Sequence, residues 1–452
     1  MTGVSDRRDL NLTIDLCLRA GELMLSNGAG AADVVAAMRL VADHFGLRRA
    51  EIDVTFTSIS MSYLVEEGEP PVVMIRQVPQ RDIDYEDLTR VDHLVRDLLA
   101  DRLDLNAARS QMASIVSSGH HRQRWQVTAG SGVMCASVAA FLGGGPLVAV
   151  IALVAAVVID RLQLSMQRRR LPFFYRQVAG GAVATLIAVA SQLVDRDLDP
   201  SLVVTANIVM LLAGIGFMGG LQDALSGFYL TAGARMTEAM LATAGIIAGV
   251  SGGLAVGEVA GVGIGRLDPG STALETLPVL VIGSAVCAAA FGYASYAPSR
   301  ALLPTAVVAG LAAGVSALAT GWGFGRTWPA GLAAFLIGLV AYAVSGRFRV
   351  PPLVVVVPAV VPMLPGLSIY RGLSLLSAPD GQTSEGLLAI VTAAAIALAL
   401  AAGVILGEYV AQPLKREARR LESRLAGPRL VGPLRARARG RSGRRNAEDV
   451  PT

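Results

Sequence analysis

Apolar positions recur at helical spacing from Leu10 to Phe45, with Ile14, Leu16, Leu18, Leu23 and Leu25 in the first stretch. The turn-like run Ser26-Asn27-Gly28-Ala29-Gly30 interrupts it, and Asp33 then charges the start of a second helix through Met38 and Val41. Ile52, Val54 and Phe56 alternate with polar residues, which reads as a strand. Two more strands, Ser60–Val65 and Val72–Val78, flank the turn Glu66-Glu67-Gly68-Glu69-Pro70. Over Asp84–Ser118, Leu88, Val91, Leu94, Val95, Leu98 and Leu99 share one face of a helix. The pattern predicts a small α+β domain over residues 1–120.

From Trp125 the alternation gives way to long apolar runs. A membrane crossing needs about 20 mostly apolar residues. Ten stretches qualify, at roughly 126–143, 146–162, 176–194, 202–221, 228–254, 277–296, 302–320, 328–346, 352–376 and 387–411. Arg122, Arg124, Arg161, Arg168, Arg169, Arg170, Arg300, Arg347 and Arg349 fall in alternate connections, and Asp195, Asp197, Asp199, Glu258, Asp268, Glu275, Asp380 and Glu385 in the others, with only Arg196, Arg266 and Arg326 beside them. Read by the positive-inside rule, both termini lie in the cytosol.

The two halves carry a weak internal repeat. Val133–Phe141 resembles Gly283–Phe291, and Leu212-Ala213-Gly214 with Gly220-Leu221 matches Leu364-Pro365-Gly366 with Gly372-Leu373, displaced by 150 and 152 residues. An odd number of crossings per repeat turns the second copy over in the bilayer, a plan common in secondary transporters. The fold class expected is an α-helical polytopic membrane protein of ten transmembrane helices. They form two inverted five-helix repeats (121–265 and 266–412), preceded by a cytosolic α+β domain (1–120) and followed by a basic disordered cytosolic tail (413–452). Localisation in the cytoplasmic membrane follows; no cleavable signal peptide is visible before the amphipathic start.

Composition agrees: 53% of the 452 residues are hydrophobic and 16% charged, against roughly 25% charged in soluble domains. Net charge is −7 over residues 1–120, +3 over 121–412 and +8 beyond, so the basic balance belongs to the tail and its run Arg435–Arg445. That run fits anionic lipid rather than nucleic acid. Lys415 is the sole lysine, so neither a phosphate-binding GxxxxGK[ST] loop nor a lysine Schiff base within the membrane exists. Cys17, Cys135 and Cys287 read as buried small apolar residues, and His44, His93, His120 and His121 show no metal-ligand spacing. No cofactor or metal is called for, and no nucleophile–base constellation marks an enzyme.

Candidate chemistry lies where apolar runs are interrupted. Gly214, Gly216, Gly219 and Gly220 loosen one span, and Asp223, Arg235 and Glu238 bring ionisable groups to that break. In the second half Pro358, Pro362 and Pro365 precede Gly366, Tyr370 and Arg371. Breaks at matching positions of two halves point to a transporter site near mid-membrane. The blander reading puts Asp223 in a turn, lets Arg235 snorkel, gives the glycines to close small-xxx-small helix packing and makes the prolines a kink. Asn207 lies mid-span, whereas Asp160, Arg176 and Glu408 near span ends read as interfacial; Thr205 and Gln192 complete the polar set.

Several of these residues together resemble the threonine/serine exporter family. They are Ala20–Gly30, Asp53–Ser60, Arg76-Gln77-Val78-Pro79, Asp223-Ala224-Leu225-Ser226-Gly227, Gly233-Ala234-Arg235, Val361–Gly366 and Tyr370-Arg371-Gly372. The resemblance spans about residues 10–411 and implies export of L-threonine and L-serine driven by the proton motive force. Ala213-Gly214 departs from the family's Pro-Gly, and the basic tail lies outside its pattern. On this reading Arg371 pairs with the substrate carboxylate, and Asp223 or Glu238 with the ammonium or the coupling proton. The remaining substrate-site candidates are Asn207, Gly214, Arg235, Pro365, Gly366 and Tyr370. Partners are then the two amino acids, protons and the bilayer, with room for a homo-oligomer. The alternatives are a dicarboxylate exporter, using Arg235 with Arg371, and a membrane-anchored sensor or enzyme built on residues 10–120.

Overall fold

The computed structural model describes residues 3–425 except 66–68, 80–81, 193–194, 196–197, 212, 260–276, 366–367, 370, 373–374 and 376–382. The chain begins with α1 (Gly3–Ser26) and α2 (Ala31–His44), and Asn27–Gly30 interrupt them where the glycines predict a turn. A meander of β1 (Glu51–Val54), β2 (Ser58–Tyr63) and β3 (Val72–Gln77) follows, antiparallel throughout, pairing Ile52 with Met61 and Met61 with Met74. Ile59 and Met61 are buried on the face that meets α1 and α2. Arg76 ties β3 to α1 through Asp15 at 2.7 Å and Glu22 at 2.8 Å.

The helix expected over 84–118 is two, α3 (Tyr85–Leu99) and α4 (Leu105–Ser117). Asp101 takes a left-handed φ of 56°, and the Asp104 side chain accepts the Ala107 N–H to start α4. That Asp-rich break carries its own signal, which the continuous apolar series conceals.

Eleven further helices follow among the described residues. α5 (Arg124–Phe141), α6 (Pro146–Arg168), α7 (Phe173–Ser191), α8 (Pro200–Met210), α9 (Ala213–Leu225) and α10 (Tyr229–Val259) make up the first half. The second half runs α11 (Leu277–Ala294), α12 (Ser299–Gly321), α13 (Thr327–Phe348), α14 (Leu353–Val360) with a 3-10 turn Val361–Met363, and α15 (Thr383–Leu425). Among the described residues seven helices are long and apolar enough to cross a membrane, eight if the bent pair α8–α9 is one span. The other two of the ten expected stretches are α5, whose 18 residues start at Arg124, and the short apolar helix Leu353–Met363.

Outward-facing surfaces bear out the bilayer. Leu303, Leu311, Ile282 and Leu388 are at least 64% exposed on these helices. The chain's three tryptophans, Trp125, Trp322 and Trp328, are all exposed at helix ends, where amphipathic rings seat at the interface.

Glycines weld the seams between helices. On α10, Gly245, Gly249 and Gly253 lie one turn apart, and a Cβ on them would run into Phe174, Val178 and Thr185 of α7. On α15, Gly403 and Gly407 abut the Gly331 and Phe335 backbone of α13 in the same way. Gly249 and Gly253 precede Gly403 and Gly407 by 154 residues, close to the displacement of the sequence repeat. α5 and α11 pack antiparallel, since Gly130 near the start of α5 meets Tyr293 near the end of α11, and Gly283 near the start of α11 meets Phe141. Buried Cys135 and Cys287 face one another in this crossing. Asp160, expected at an interface, is 7% exposed and paired with Arg124 and Thr128, each at 2.7 Å.

The α+β part rests on both halves. Much of the contact satisfies carbonyls left unpaired at helix C-termini. The Tyr85 N–H donates to Ser295 O at 2.9 Å, Arg122 to the Tyr293 and Ala297 carbonyls, and His93 Nε2 meets Arg349 O at 2.9 Å. His120 stacks on Tyr296 at 4.0 Å. On the first half, Thr231 Oγ1 donates to Val54 O at 3.1 Å and Gln167 Nε2 to Asp82 Oδ2 at 3.0 Å.

Gly249→Val places methyl groups against the Val178 carbonyl and should destabilise the protein by about 1–3 kcal/mol. Exposed Gly252→Ala, with open space at its Cβ, should be neutral or stabilising by up to about 1 kcal/mol. Thermal unfolding in detergent compares them, and equal melting temperatures would contradict the seam.

Candidate functional site

α9 and α10 are joined by Ser226–Phe228, where Gly227 adopts φ 89°, a left-handed conformation that glycine takes without a Cβ clash. The reversal brings Asp223, in the last turn of α9, against Arg235, in the second turn of α10. Arg235 Nε lies 3.2 Å from Asp223 Oδ2, with side chains only 11% and 2% exposed. The glycines expected to loosen this span sit inside α9 as regular helix, and the interruption falls before them, after Leu211. Their role is clearance: a Cβ on Gly219 would come within 2.9 Å of Arg235 Nη1, and one on Gly220 within 3.2 Å of Ala232 O.

A buried ion pair is costly unless its remaining lone pairs and protons are met. Here the backbone between α1 and α2 meets them. The Ala31 N–H donates to Asp223 Oδ1 at 2.9 Å, and Arg235 Nη2 donates to the Ala29 carbonyl at 2.8 Å. Ala31 opens α2, and its N-cap Gly30 has no side chain to satisfy the free N–H groups of the first turn. Asp223, 192 residues away, supplies that cap, and its charge matches the positive end of the helix dipole.

Asp33 shares the first turn of α2. A Cβ on Gly30 would lie 3.5 Å from Asp223 Oδ1 and 3.8 Å from Asp33 Oδ2, so two carboxylates flank one backbone position. Asp33 keeps a water-accessible face while protein surrounds its carboxyl. The crowding pushes its carboxyl above the usual range, and Asp223 adds to the effect. Glu408, near the end of the apolar stretch of α15, lies within electrostatic range of Asp33. Asp223, paired with Arg235, therefore has Asp33 as its neighbour, and Asp33 in turn has Glu408. Opposite charges lie side by side here, and each already holds a backbone group of matching polarity.

The other expected site residues lie apart. Asn207 on α8 is fully buried; its Nδ2 donates to Val203 O at 2.8 Å and its Oδ1 has no partner among the described residues. Gly214 is buried at the start of α9, and Glu238 is exposed, one turn beyond Arg235. Pro365 is buried, Arg371 is exposed with no ion pair among the described residues, and Gly366 and Tyr370 lie outside those residues. The ion pair thus sits beneath the α+β part, close to the α9–α10 turn. Sequence reasoning missed Asp33 and Glu408 as its neighbours. Asp33 reads as an ordinary first-turn acid, and Glu408 as an interfacial one.

One potential metal-binding group occurs among the described residues, Asp84, Asp87 and His120. Asp84 Oδ1 accepts the Glu86 and Asp87 N–H groups, and Oδ2 faces His120 Nε2 at 3.2 Å. The group closes on itself as a helix cap and an ion pair.

Residues 15–257 match the family model for a threonine/serine exporter, and residues 280–410 match a second model described as "Threonine/Serine exporter, ThrE". A "Probable threonine/serine exporter" of Mycobacterium tuberculosis is 38% identical over 426 residues, 92% of this chain and 80% of the relative. A "Threonine/serine exporter" of Corynebacterium glutamicum is 31% identical over 422 residues, 92% of this chain and 86% of the relative. No solved structure matches. Two family models in tandem and relatives alike over nine-tenths of its length show that the chain belongs to the threonine/serine exporter family.

Proposed function

We propose that this chain exports L-threonine and L-serine across the cytoplasmic membrane by proton antiport, and that Asp223 and Arg235 receive the substrate at the cytosolic mouth. The buried pair between α9 and α10 carries the reading, since it presents both signs of charge within one contact distance. The substrate carboxylate takes the Arg235 guanidinium, the role the sequence pattern gives to Arg371, and the ammonium lies against Asp223 and Asp33. The unpaired Asn207 Oδ1, before the α8–α9 interruption, offers an acceptor for the hydroxyl further along the path. A dicarboxylate would set its second negative group beside Asp223 and Asp33, which disfavours that alternative.

The same reading has ten crossings in two inverted halves, with the α+β part and both termini in the cytosol. The antiparallel α5–α11 crossing, the matched glycine seams and the arginine-rich connections support it. The basic tail then faces anionic lipid. The coupling proton resides on Asp223 and the carboxylates that neighbour it rather than on exposed Glu238. Asp33 is the water-facing one among them.

Flux from proteoliposomes loaded separately with threonine, serine and succinate, with and without a pH gradient, tests the reading. Gradient-driven movement of the two amino acids and none of succinate is expected. Asp223→Asn and Arg235→Lys should each cut threonine flux at least tenfold, on the order of a lost charged hydrogen bond. Full flux in both variants would remove the pair from the site.

The raised Asp33 carboxyl also fixes a pH dependence. Its charge is lost as pH falls through a range above that of ordinary carboxylates, with Asp223 and Glu408 as the charged groups facing it. Threonine binding should therefore tighten as pH rises through that range. Asp33→Asn should bind weakly and without this dependence, and a variant retaining the wild-type pH profile would exclude Asp33.

A further inference from the structure

Resting on the substrate reading above, we propose that Ala29–Ala31 is a tethered pseudosubstrate, which occupies the Asp223–Arg235 site until threonine or serine displaces it. The backbone groups at the site have the polarity of an amino acid. The Ala29 carbonyl takes the Arg235 donor that a carboxylate would take, and the Ala31 N–H takes the Asp223 oxygen that an ammonium would take. Segment and substrate compete for Asp223 Oδ1 and Arg235 Nη2, so occupancy by one opposes the other.

The tether is built to release. Gly30 gives α2 no side-chain cap, so the helix start relies on Asp223 and gains little from local chemistry once it leaves. Asp33, in the same first turn, is exposed, so the edge of the segment meets water. The α+β part also bears on α11 and α13 through Ser295 and Arg349, so a segment lifted from α9–α10 loosens a bridge between the two halves. Substrate arrival is thereby coupled to one of the contacts that join the halves.

Ala31→Pro isolates the contact. Proline is tolerated at the first helical position and removes the N–H, and Gly30 already holds φ −69° and ψ 151°, the conformation favoured before proline. The full chain in nanodiscs, titrated with threonine, should bind about tenfold more tightly as Ala31→Pro, because an internal competitor is gone. In the wild type, threonine should speed amide hydrogen exchange at residues 31–33 and succinate should not; Asp223→Asn should lose both threonine binding and that response. Threonine binding that leaves exchange at 31–33 unchanged would overturn the pseudosubstrate while the substrate site stands. An Ala31→Pro affinity equal to that of the wild type would do the same. Wild-type threonine affinity in Asp223→Asn would overturn the substrate site, and the pseudosubstrate with it. The exchange measurement needs only the wild-type protein, so it decides the matter even where the proline variant fails to fold.

Discussion

An arginine and an aspartate, removed from water between two apolar helices, cannot stand alone. Each charge loses hydration on burial, and their mutual attraction recovers that loss only when the remaining hydrogen-bonding atoms are also met. Asp223 and Arg235 meet this condition by reaching out of the helix bundle to backbone groups of Ala29 and Ala31. The requirement is reciprocal, because α2 begins at a glycine that cannot cap it. Neither the pair nor the helix start is complete without the other. The α9–α10 reversal at Gly227 and the bare face of Gly219 follow as conditions for bringing the two side chains together.

The same chemistry of helix ends places the rest of the α+β part. At α2 a negative side chain meets exposed N–H groups; at α11 and α13 donors meet exposed carbonyls, through Tyr85, Arg122 and His93. Both contacts have the sign that the helix dipole favours. Within the bundle, where lipid removes most of the hydrophobic drive for association, the glycine seams of α7–α10 and α13–α15 hold helices by close backbone contact. Such seams tolerate little change in spacing. Motion between the halves is then easier at the polar contacts with the α+β part than within either half.

Much of this was legible in the residues. Alternation and helical spacing located the turn at Asn27–Gly30 and the three strands, and the glycine-aspartate run drew attention to Asp223 and Arg235. Two things were not legible, for different reasons. Pairing across 192 residues leaves no local trace, so Ala31 and Asp33 read as the start of an ordinary helix. Glycine carries two opposite meanings, a helix breaker in water and a packing surface between helices, and only the facing helix decides which applies. Gly216, Gly219 and Gly220 proved to be the second kind, as did Gly245, Gly249 and Gly253.

Arginine at position 235 has a geometric consequence as well. Its planar fork lets Nε address Asp223 while Nη2 addresses the Ala29 carbonyl, two directions held by one rigid group. An ammonium on a flexible stem would meet one partner at a time. Exchanging the backbone segment for a zwitterionic amino acid also leaves the net charge at the site unchanged, since a carboxylate and an ammonium enter together. In the proposed exchange, a solute carrying only one of the two charges would break that balance and leave the other group unmatched.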